Sequence, residues 1–185
     1  MRVFHYPSFV FLPTLLFLVG ITNMSQALSL HSDDVRDGER LKINQVYSGM
    51  GAGGQNLSPQ LSWTGVPAEA KSLAITIYDP DAPTGSGWWH WVVFNIPTEV
   101  TLLEEGASCK NMPPGAVESM TDFGMPGFGG AAPPQGDKPH HYVITLWALN
   151  VGKLPLNAST PAAQVGFYLN QHQLAQATIT GLYSR

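Results

Sequence analysis

The chain has 185 residues, 44% of them hydrophobic and 12% charged, with 13 acidic against 9 basic side chains and a formal net charge of -4. An ordinary apolar fraction with modest charge excludes a disordered tail, and the acidic balance excludes a nucleic-acid binder, which needs surplus cations to release counterions from phosphates. The length suits one domain around one core; 19 Gly and 15 Pro spread along it argue for strands joined by long loops, and a lone cysteine, Cys109, leaves no internal disulfide.

In chain order, Arg2 is followed by the apolar stretches Phe9–Leu12 and Leu15–Val19, then by the small residues Ser25 and Ala27 flanking Gln26. A basic end, a short apolar middle and a small-x-small exit predict a secretory signal peptide over residues 1–27, cleaved near Ala27. Pro13 interrupts the apolar run, which is short of the roughly 20 residues a membrane span needs. The remaining residues, 28–185, are then one domain that works in the periplasm or is secreted. Three nearly continuous apolar runs read as central strands covered on both faces: Ser72–Tyr78, Trp91–Ile96 and His141–Leu149. Shorter strands are expected at Arg40–Ile43, Leu61–Trp63 and Ala177–Thr180. One helix stands out, with Thr160 as cap, Pro161 at the first position and a Pro-free stretch from Ala162 to Gln176 that Gly166 weakens. The fold class is therefore mainly β with a minor α part.

Three loops at strand ends hold the polar residues that solvent alone does not explain. Asp79-Pro80-Asp81-Ala82-Pro83 is a stiff turn that aims at least one carboxylate; on its own it reads equally as Asp capping its own backbone. Gly87-Trp88-Trp89-His90-Trp91 sets an imidazole among indoles, a composition that lines concave, half-wet surfaces. The stretch from Gly127 through Gly129-Gly130-Ala131-Ala132-Pro133-Pro134 to His140-His141-Tyr142 offers close backbone approach and free amide N–H groups. Gathered together, these loops make a small cavity with imidazoles, a carboxylate, a phenol and amide donors. A nearby Asp would keep a histidine cationic, and the whole would suit a phosphate, sulfate or carboxylate carried by a larger group.

Asp-Pro-Asp-Ala-Pro, Trp-His-Trp-Val-Val-Phe-Asn-Ile-Pro and Gly-Phe-Gly-Gly-x-x-Pro-Pro-x-Gly-x-x-His-x-Tyr, in this order, resemble the motifs of the phosphatidylethanolamine-binding protein family. The bacterial Raf-kinase-inhibitor-like branch is the nearest match, and Asn56–Trp63 with Gly65-Val66-Pro67 is similar to that branch's N-terminal stretch. The resemblance runs from about Leu41 to Tyr183. It implies a sandwich of antiparallel sheets with C-terminal helical elements and a small anion pocket at the strand ends. Carried over by position, the ligand-binding residues are Asp79, Asp81, Pro83, Trp88, His90, Gly130, Pro133, Pro134, His140 and Tyr142. Ala131 and Ala132 depart from the family's loop, and His141 stands where Arg is usual.

The implied function is an exported binding or regulatory protein whose pocket takes a small anion (phosphate, sulfate, acetate or a phospho-head group), with a protein partner and a homodimer both left open. No cofactor is expected. The residues present no nucleophile: Ser58 and Ser119 lack a nucleophile-elbow context, Cys109 has no adjacent base, and no helical His spacing marks a metal site. Met120, Met125 and Phe128 read as packing or loop residues, and His31 and His172 as surface ones. Two alternatives remain: a hydrolase of phosphate esters using the His pair as acid and base, and a protease or kinase inhibitor that presents the pocket rim.

Overall fold

The computed structural model describes residues 1–3 and 26–185, so the leader expected over 1–27 falls for the most part outside the described residues. Among the described residues, eight strands and one α-helix follow in the order β1 (Ser29–His31), β2 (Leu61–Thr64), β3 (Ser72–Asp79), β4 (Trp88–Ile96), β5 (Leu102–Leu103), β6 (Val117–Glu118), β7 (His140–Leu149), α1 (Ala162–His172) and β8 (Gln173–Tyr183). They form a three-stranded sheet ordered β1-β2-β5 and a five-stranded sheet ordered β6-β4-β3-β7-β8, antiparallel throughout.

The continuous apolar runs have a direct cause: the large sheet is covered on both faces. On one face Leu73, Ile75 and Ile77 of β3, with Trp91 and Val93 of β4 and Ile144 and Leu146 of β7, pack against Leu30, Leu61, Trp63 and Leu103 of the small sheet. On the other, Ala74 of β3 and Val92 and Phe94 of β4 meet the helix. The helix presents Ala162, Val165, Gly166 and Leu169, the i, i+3, i+4, i+7 stripe that such a docking requires.

Three expectations need correction. The helix stops at His172 rather than Gln176, and Gln173 turns straight into β8, whose register runs the length of β7 from Leu149↔Gln173 to His140↔Tyr183. Ala, Gln and Leu favour a helix locally, but a full-length ladder beside a central strand outweighs a few tenths of a kcal/mol per residue. Thr160 does not cap the helix; its hydroxyl accepts the Asn157 N–H at 3.1 Å, and Pro161 occupies the cap position. The expected strand at Arg40–Ile43 is also absent. Arg40 makes one parallel bridge to Leu182, and Ile43–Gln45 forms a 3-10 turn.

Candidate functional site

The antiparallel order places the polar loops together. Because β3 runs opposite to both β4 and β7, its C-terminal end lies beside their N-terminal ends: Asp79 pairs with Trp88, and Tyr78 with Trp89 and Val143. Strand alternation then turns His140 and Tyr142 inward and His141 outward. The Gly129–Pro134 loop closes the opposite side. Gly130 lies so near the backbone at Gln45–Tyr47 that a Cβ would sit 2.5 Å from the Gln45 carbonyl oxygen, and Ala131 exchanges hydrogen bonds with the same segment. The pocket between these loops opens to solvent and has a volume of about 170 Å³.

Asp79 and His140 form the buried base of the site, each side chain only 3% exposed, with Asp79 Oδ2 at 2.8 Å from His140 Nδ1. The other oxygen, Oδ1, accepts the Asp81 N–H at 2.8 Å. Asp79 is thus fully partnered, and its effect is to fix the plane of His140. The second ring nitrogen, Nε2, has the Asp137 carboxylate 3.4 Å away.

His90 behaves differently from the cationic residue anticipated above. Its Nδ1 donates to the Gly129 carbonyl at 2.7 Å. Burial pushes its imidazole below the ordinary histidine value, and the nearby carbonyls and Asp79 offset this only in part. Desolvation therefore outweighs the carboxylate's field, and the ring is neutral. Phe123 and Tyr142 hold it edge-on, with centroids 5.4 and 5.0 Å away.

Two donors are left over. Tyr142 is 2% exposed, yet its hydroxyl has no hydrogen-bond partner among the described residues. Burial, reinforced by Asp79, raises its pKa far above the usual phenol range, so it stays a protonated donor. The Ala132 N–H comes near enough to favour the phenolate but does not meet the oxygen in hydrogen-bond geometry, and it makes no hydrogen bond of its own among the described residues. A buried phenol and a backbone amide, both unpaired and both on the pocket wall, suit an oxyanion.

The pocket brings together Asp79, Pro83, Trp88, His90, Pro133, Pro134, His140 and Tyr142. It does not bring in Asp81 or Gly130. Asp81 faces outward, where Oδ2 accepts both the backbone N–H of His141 at 2.9 Å and its Nδ1 at 2.7 Å. Those bonds hold the Asp81 carboxyl below the usual carboxylate range. Gly130 supports the loop from behind, its N–H donated to Asn56 Oδ1 at 2.7 Å, and the Gly129 N–H goes to the His90 carbonyl at 2.8 Å. The amides of the paired glycines are consequently both spent within the protein, whereas Ala132 lies on the pocket wall. Ala82, within the Asp-Pro-Asp-Ala-Pro segment, also lines the pocket, as do Met50, Thr84 and Phe123, which carry no signal in the sequence. Phe123 is seated there by Gly129, whose missing Cβ makes room for the ring.

Comparison with known proteins agrees with this architecture. The sequence profile described as "Phosphatidylethanolamine-binding protein" matches residues 31–184. UPF0098 protein YbcL of Escherichia coli (strain K12) is 47% identical over 173 residues, covering 92% of this chain and 94% of the relative. UPF0098 protein YbhB of the same organism is 46% identical over 159 residues, covering 85% of this chain and all of the relative. The crystal structure of E. coli YbcL, described as a new member of the mammalian PEBP family, superposes with a TM-score of 0.85 at 48% identity, covering 86% of this chain and 99% of that one. A putative homologue from Chlamydia trachomatis gives a TM-score of 0.73 at 30% identity, covering 86% and 98%. On both sequence and fold, the chain belongs to the phosphatidylethanolamine-binding protein family.

Proposed function

We propose that this protein is exported and binds a small anionic ligand, with the phosphate or carboxylate group seated in the pocket at the ends of β3, β4 and β7, and that the loaded rim modulates a partner protein. The observation that carries the reading is the pair of unsatisfied donors, the buried Tyr142 hydroxyl and the Ala132 N–H. Leaving the buried hydroxyl unpaired costs about 1–3 kcal/mol, a cost that an anion accepting from it, and from the Ala132 N–H on the same wall, removes. The apolar walls, Trp88, Phe123, Pro83 and Pro133, keep the local dielectric low and strengthen those bonds. The direct test is a titration with inorganic phosphate followed by backbone amide NMR. The reading predicts saturable shifts confined to residues 79–90 and 129–142; no shifts, or shifts scattered over the surface, would refute it. Export predicts a periplasmic protein whose N-terminus begins at Leu28, checked by N-terminal sequencing after fractionation.

One observation favours the hydrolase alternative, the buried Asp79–His140 pair, which has the form of an oriented general base. The wall supplies no serine or cysteine beside it, and the Thr84 hydroxyl is spent on the Gly87 carbonyl at 2.5 Å. Binding without cleavage is therefore the better-supported proposal. Turnover of p-nitrophenyl phosphate that is abolished in Asp79→Asn would reverse that ranking.

A further inference from the structure

Arg185 is not among the residues that the sequence motifs single out. Its Nε donates to the Pro133 carbonyl and its Nη1 to the Met50 carbonyl, the latter at 2.8 Å. Its own main-chain oxygen accepts the Gly136 N–H at 2.9 Å. Met50 and Pro133 both line the pocket, so one side chain fastens two walls that lie far apart in the sequence. The Met50 wall needs such a fastening: its backbone is left-handed, with φ 53°, and its side chain is largely exposed. A planar fork with several donors can satisfy two fixed carbonyls at once, which a lysine's single ammonium does less well. The guanidinium remains a full positive charge after these bonds, because carbonyls are neutral acceptors. Its field reaches the Tyr142 oxygen, where it favours negative charge. Of the other cations at this end, Lys138 is 81% exposed and stands 4.0 Å from Asp81, on the outer side of the turn, and Arg40 is held over the Tyr183 ring with a bond to the Ser184 carbonyl.

We propose that Arg185 is a positioning residue of the anion pocket, pinning the Met50 and Pro133 walls together and directing a permanent positive charge at the bound ligand without touching it. The proposal rests on the anion-binding reading. Its two effects have different signatures. Loosening the walls weakens every ligand alike, whereas losing the field weakens a dianion more than a monoanion.

The test is calorimetric titration of wild type, Arg185→Gln and Arg185→Lys with inorganic phosphate and with acetate at pH 8 and low salt, with thermal unfolding recorded for each variant. Arg185→Gln, which loses both effects, is expected to weaken phosphate about thirtyfold and acetate about tenfold. Arg185→Lys, which keeps the charge but not the fork, is expected to weaken both by about threefold and to retain the wild-type phosphate-to-acetate ratio. Unchanged phosphate affinity in Arg185→Gln, or equal fold losses for the two anions, would overturn the proposal. Absence of binding to either anion by the wild type would instead overturn the reading beneath it.

Discussion

Replacing Tyr142 by Phe removes one oxygen atom and should move stability and binding in opposite directions. In the folded protein the hydroxyl is buried at 2% residue exposure with no partner, so it bears a desolvation cost of about 1–3 kcal/mol that the phenyl ring does not. The ring itself stays packed among Ile77, Ile144 and His90, so little cavity opens. Taking the lower figure for the net gain, Tyr142→Phe should be about 1 kcal/mol more stable, a rise of about 2–4 °C in Tm for a domain of this size. A hydrogen bond to a charged acceptor is worth about 1.5–3 kcal/mol, so phosphate should bind about 10- to 150-fold more weakly. Differential scanning calorimetry and phosphate titration of the same two samples measure both effects. A variant that is less stable and binds phosphate as the wild type does would refute the reasoning, because it would make the hydroxyl a structural group.

Asp137 is 42% exposed and faces the outer nitrogen of His140. Asp137→Asn should therefore fold normally and, by removing a like charge from the path of the anion, bind phosphate about 3- to 10-fold more tightly in the same titration. His90 sets a pH dependence. Its folded pKa lies below the unfolded value, so the unfolded chain takes up a proton first as pH falls through about 6.5, and stability declines on acidification. Urea unfolding from pH 8 to pH 5 should show the wild type losing up to about 1.4 kcal/mol per pH unit relative to His90→Asn; parallel profiles would contradict the assignment of a neutral His90. Gly166 sits on the helix with room for a methyl group, since a Cβ there would lie 3.6 Å from the Trp89 ring, an ordinary contact. Gly166→Ala should raise stability by about 0.5–1 kcal/mol in thermal unfolding and leave phosphate affinity unchanged.

The central strands were legible because burial on both faces leaves a continuous apolar run, and the loops at their ends were legible because His, Trp and Asp at strand termini have few structural uses. The Gln173–Gln176 stretch was not, since its helix-favouring composition is overruled by a ladder whose partner, β7, lies far back in the sequence. Asp81 and Gly130 share motifs with pocket residues, yet the turn after β3, tied to His141, and the close approach of the 45–47 segment put them to other tasks. His141 replaces a permanent cation, and in this chain it fastens Asp81. A free amide was legible in the loop but not which residue carries it, and Phe123 and Arg185 were invisible because each acts through a property that residue type does not encode: a seat opened by a glycine, and a fork spanning two loops.

A crystal structure of the protein grown with inorganic phosphate examines the site most directly. The account predicts a phosphate oxygen within hydrogen-bond distance of both the Tyr142 hydroxyl and the Ala132 amide, with His90 and His140 alongside. Phosphate bound only at other surfaces, with those two donors contacting no anion, would contradict it.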